Sequence, residues 1–126
     1  MDVLRHVLQA LVPGGRVVDL ASIPPEGVVL HGDAVVGSID ESAFFPRAAA
    51  TAAALDRLAA EGMLELERVE QFPVLIHYPS GRDAVEDVAE RTYGRMPDEL
   101  AASVAAIADP VRIRETGRVR VFRKAG

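Results

Sequence analysis

The chain has 126 residues and a mass of 13.5 kDa, with 49% hydrophobic and 26% charged residues, a net charge of −5, no cysteine and no tryptophan. That suits one globular domain with an aliphatic core, and it excludes disulfide staples, thiolate metal sites and a disordered chain. The acidic balance argues against nucleic acid, which prefers a basic face. No stretch nears the roughly 20 apolar residues of a membrane span or resembles a signal peptide, so a soluble cytoplasmic protein is expected.

Val3, Leu4, Val7, Leu8 and Leu11 recur at helical spacing, which predicts a helix over about residues 2–11, stopped by Pro13-Gly14-Gly15. The following RVVDLASI, rich in β-branched residues, predicts a strand buried on both faces. Pro24-Pro25-Glu26-Gly27 is expected to break it. Residues 28–42 read two ways: VVL and AVV can form short strands, while Gly32, Gly37 and the acids favour a long, partly ordered crossover. Next comes a helix from Phe44 or Arg47 to Glu61, with Phe45, Ala48, Ala52, Leu55 and Leu58 as its apolar stripe and Gly62 as terminator. Met63–Tyr78 alternates as a long strand, bent around Pro73 because proline cannot donate to a ladder. Ser80 can cap a helix over Asp83–Tyr93, and Pro97 opens another through Leu100, Val104 and Ile107. The tail, VRIRETGRVRVFRK, is either one interrupted strand or a hairpin turned at Glu115-Thr116-Gly117, its arginines forming the solvated face of an edge strand. The class is α/β.

Read in this order, the pattern resembles the C-terminal half of a class I S-adenosylmethionine-dependent methyltransferase. In that family a helix ends in a Leu-x-Pro-Gly-Gly-[Arg/Lys] turn that feeds the fifth strand. Here Leu11 to Arg16 feeds Val17–Ser22 in the same way. The family's sixth and seventh strands form a hairpin at the sheet edge; Met63–Tyr78 and Arg118–Lys124 match them, with residues 83–108 as an inserted helical pair. The resemblance implies a partial Rossmann-like methyltransferase sheet of three to five strands with flanking helices, in one domain over residues 1–126. The family binds its cofactor through a glycine-rich turn and an acidic residue in the other half of the fold, where close backbone approach and a carboxylate on the ribose are both needed. This sequence has no G-x-G. The resemblance therefore implies no cofactor-binding residue in this chain, with S-adenosylmethionine held only if a partner supplies the first half.

A strand that is paired on both edges in the family would here lose one neighbour. Val17, Val18, Asp19, Leu20 and Ala21 become candidates for a dimer edge, because bare apolar edges are paired, shortened or covered. Three coverings are open: a homodimer, a second chain supplying the missing half, or residues 28–36 folding back; alternatively, the chain is a fragment of a longer enzyme. Lysine at Val18 or Leu20 is expected to break association and stability together. The expected role is an interaction or regulatory module, or one half of a split methyltransferase, inactive by itself.

The chemical candidates are few. His6, His31 and His77 lack metal-ligand spacing. His31 and Asp33 lie in the crossover that faces the acceptor substrate in the family, where a histidine can serve as general base, and His77 ends a strand. Asp19, inside an apolar strand, calls for an arginine or backbone partner. A second reading takes Ala48–Glu61 as the recognition helix and residues 63–79 as the wing of a winged-helix DNA-binding regulator, although that helix offers only Arg47 and Arg57 to a groove.

Overall fold

The computed structural model describes residues 2–91 and 94–126. Helix α1 (Asp2–Ala10) is halted by the Pro13-Gly14-Gly15 turn, which is tied to the far end of the chain: Gly14 N–H donates to the Lys124 carbonyl at 3.1 Å, and Lys124 N–H to Gly15 at 2.8 Å. The remaining elements are β1 (Arg16–His31), β2 (Ala34–Ser38), α2 (Phe45–Ala60), β3 (Leu64–Tyr78), α3 (Gly81–Ala89), α4 (Asp98–Ala105) and β4 (Val111–Lys124). The four strands form one sheet in the order β2-β1-β4-β3, every neighbouring pair antiparallel. The fold is thus mixed α/β with an open antiparallel sheet.

Several expectations are corrected. The two prolines do not end the strand: β1 runs through Pro24-Pro25 to His31, since residues 24–27 fall where its register with β4 shifts and no ladder bond is asked of them. Of the two readings of 28–42, the strands hold and the crossover does not: Val28–Leu30 lies in the end of β1, and Ala34–Val36 opens the return strand β2. β3 is irregular at Glu67, between Leu66 and Arg68, and not at Pro73, which stays in register opposite Thr116. Residues 63–79 supply one strand, not a two-stranded wing. β4 is one unbroken strand with no turn at 115–117, and it lies in the middle of the sheet, so its arginines do not line an edge. Helix α3 stops at Ala89, short of the predicted end at Tyr93, which lies outside the described residues.

Two small cores form on opposite faces. Successive residues of a strand point to opposite sides, and β4 uses both. Val111 and Ile113 pack with Val29, Ile39, Tyr78 and the buried Ala84, Val88 and Val104 of α3 and α4. Phe122 packs on the other face with Leu64, Leu8 of α1 and Leu55 of α2. At the α3–α4 crossing a side chain on Gly81 would sit 1.7 Å from the Val104 carbonyl oxygen, so only glycine fits. Ser80 caps α3 as expected, its Oγ accepting from Asp83 N–H at 3.3 Å.

Candidate functional site: a free strand edge beside helix α2

The ladder between β1 and β2 covers only Val28–His31, whereas that between β1 and β4 reaches back to Arg16. Residues 16–23 are therefore paired on one side alone among the described residues. In an antiparallel strand, alternate residues turn their N–H and C=O groups away from a given neighbour, so this edge carries backbone groups open to a further strand. Val18 and Leu20 are 64% and 69% exposed. They correct the expectation of a strand buried on both faces: on their side the helical layer stops short, while Val17 on the other side is half-buried beneath the α1–α2 core. All five edge candidates, Val17 to Ala21, fall in this segment.

Helix α2 runs beside the edge without closing on it. Two cavities of about 740 Å³ each separate them, and both are lined by Ala21, Ser22 and Ala48. Their walls reflect the sequence of α2, whose Ala48, Ala49, Ala52 and Ala53 leave room that larger side chains would fill. In the first cavity Phe72 lies over Gly117, where an added Cβ would come within 2.7 Å of the ring. Phe44, Val74 and Ile76 complete its apolar wall.

The charges around the trough are mostly spent. Asp19 accepts from Arg120 Nε at 3.2 Å, which meets its expected need for an arginine. Arg120, only 5% exposed, also reaches Asp56 at 2.6 Å and the Ala52 carbonyl at 3.3 Å, and its guanidinium lies 5.0 Å from the Phe122 ring centroid. One side chain thereby joins β1, β4 and α2 through charge-assisted bonds and a cation–π contact. Arg118, which lines the second cavity, approaches Asp19 at 3.9 Å, but its Nε is buried without a hydrogen-bond partner.

A second polar cluster lies where the chain leaves β2 for α2. Arg91 donates to Glu115 Oε1 and to the Tyr78 hydroxyl, each at 2.9 Å, and to Asp87 at 3.2 Å; the Tyr78 hydroxyl donates to Asp87. Burial, with that hydrogen bond to Asp87, pushes Tyr78 up to about 12. The same bond, with Arg91 beside it, holds Asp87 below the usual carboxylate range. Glu41, 2% exposed, accepts from Gly27 N–H at 2.7 Å through Oε1, while its Oε2 is buried without a partner. Burial raises its pKa, opposed by the Gly27 bond and reinforced by the nearby charges of Glu115 and Glu26. Nothing in the sequence marks Glu41 as buried: it sits in an irregular segment with no periodicity to read.

The catalytic candidates lie elsewhere. His31 and Asp33 flank the exposed β1–β2 turn, where His31 meets Asp109 at 3.3 Å and Arg112 approaches Asp33 at 3.8 Å. His77 pairs across from Arg112 on β3, exposed. The three share one end of the sheet, and none lines either cavity. His6 is exposed on α1. Among the described residues no cluster of three metal-binding side chains occurs, and no helix is long and apolar enough to cross a membrane. Searches of family models, curated proteins and solved structures return no match to this chain.

Proposed function

We propose that this chain is an assembly module related to the C-terminal half of a class I methyltransferase, whose sheet is completed at the free edge of β1 by a strand from a second polypeptide. The observation that carries this is the one-sided pairing of residues 16–23, with Val18 and Leu20 exposed on the same segment. An open apolar edge several residues long is a standing template for another strand. The relationship draws support from the order of elements: a helix, the Pro-Gly-Gly turn and β1, then β3 and β4 as antiparallel neighbours with a helical pair between them. In this reading the chain binds no cofactor alone, and S-adenosylmethionine enters only with a partner that brings the first half of the fold. A homodimer is the simplest form, since one gene product suffices.

Light scattering across a range of concentrations tests it. The expected result is a species of twice 13.5 kDa that V18K and L20K each convert to a folded monomer. A monomer at every concentration, indifferent to these substitutions, would overturn the homodimer. Calorimetry with S-adenosylmethionine should give no heat with this chain alone; binding would show that it holds the cofactor unaided.

A further inference from the structure

Resting on that reading, we propose that the trough between β1 and α2 receives β1 of a second copy, the two strands pairing antiparallel about Leu20. The chemistry of the edge selects this register. Sheet continuity requires like faces to meet, so only registers that set even-numbered residues opposite even-numbered ones keep Val18 and Leu20 on a common face. Centring on Asp19 would put two carboxylates opposite each other, which is destabilising. Centring on Leu20 avoids this and sets the second copy's Arg16, Val17, Val18 and Asp19 opposite Pro24, Ile23, Ser22 and Ala21.

Each of those placements finds a complementary surface. Ser22 pairs with Gly117, and Gly117 with Phe72, so the second copy's Val18 joins that row and enters the cavity walled by Phe44, Phe72 and Val74. Ala21 pairs with Arg118, so the second copy's Asp19 lies two strand spacings from Arg118, about 10 Å between backbones. Only an alanine intervenes, and an arginine side chain crosses such a gap. The carboxylate would then meet the Arg118 Nε that is buried without a partner in the single chain. Symmetry makes the contact twice, giving a ring of two Arg118 and two Asp19 side chains. The second copy's Arg16 reaches Pro24 beside Glu26, which also lines the trough. The alanines of α2 leave space for the added strand, and a shift to a Val18-centred register would bring Gly15, with no carboxylate, opposite Ala21.

The chain has no cysteine, so single thiols report the register cleanly. D19C, L20C and A21C are each treated with a short bis-maleimide at a concentration where light scattering shows the dimer. L20C should give the highest cross-linked yield, with lower yields on either side. R118Q should raise the dimer dissociation constant about tenfold, while the L20C cross-link forms again once the dimer is restored at higher concentration. A highest yield at residue 19, equal yields at all three, or a dimer indifferent to R118Q would overturn this register and leave edge association standing. Absence of any dimer would remove both. Leu20 is 69% exposed, so its substitution leaves the fold in place.

Discussion

The two faces of the sheet are built to different standards. Among the described residues, nine buried side chains form the core on the α3–α4 face, a glycine lets the helices touch, and Arg91 draws Tyr78, Asp87 and Glu115 into one hydrogen-bonded cluster. On the α1–α2 face the core has four buried residues among those described, and two cations on β4 add bonds to its helices. Arg120 binds Asp19 and Asp56, and Lys124, the only lysine, donates to the Leu8 and Leu11 carbonyls at 2.7 Å each, satisfying the C-terminal end of α1. Apolar packing carries most of one face, and charge carries much of the other. The edge at residues 16–23 lies past the end of the α3–α4 layer: Val18 and Leu20 point to that side and stay exposed, while Val17 points to the α1–α2 side. An edge meant for a partner must not be sealed by its own helices, and this placement agrees with the proposed role.

Phe122→Ala should have the largest effect on the balance between the two faces. It removes the largest member of the smaller core and should cost about 3–5 kcal/mol in urea unfolding. Ile113→Ala, in the larger core, should cost about 2–4 kcal/mol. A reversed order would mean that the charged contacts, not Phe122, carry the α1–α2 face. Gly81→Ala comes next, at about 1–3 kcal/mol, because a methyl group aimed at the Val104 backbone forces α3 off α4. Unchanged stability there would show that the helices slide freely.

Glu41→Gln should change stability in a pH-dependent way. Burial holds the Glu41 proton more tightly in the folded chain than its ordinary value of 4.5. Its contribution to stability is therefore full below that value and is lost as pH rises through the raised folded one. The amide cannot ionise, so E41Q should match the natural chain in acid, exceed it at neutral pH and show a flatter profile in pH-dependent melting. A less stable E41Q at neutral pH would mean that the buried charge is fully compensated. The smallest expected stability change, within about 0.5 kcal/mol, belongs to V18K and L20K, whose side chains are exposed in the single chain. Association, and not folding, should fail; the sequence-based expectation that both fail together rested on a strand buried on both faces.

Much of the chain order was legible, because local signals govern it. The Pro-Gly-Gly stop, the Ser80 cap, Gly62 after α2 and the alternation of β3 each act within a few residues. The passage of β1 through two prolines was not, since it depends on where β4 shifts register, a fact about a strand some ninety residues away. The arginines of β4 misled for a related reason. Alternating charge suggests water on one side, yet the charge of Arg120 is answered by Asp19 and Asp56 from two other elements that no spacing rule connects. Within the candidate site, the strand edge could be named from sequence, whereas the trough beside it depends on how far α2 stands off.

The central place of β4 also governs how the chain comes to be folded. Both β1 and β3 take β4 as their main neighbour, and β4 follows both in chain order. Among the described residues, apart from the short hairpin with β2, no strand has its partner until residues 111–124 have been made. Pairings of such long sequence separation are slow to nucleate. During synthesis β1 therefore presents both of its edges, making the nascent chain open to premature pairing with neighbours on the same message. The clasp that Lys124 puts on the end of α1 belongs to this same late-made strand, so α1 too waits for β4 before its last carbonyls are satisfied.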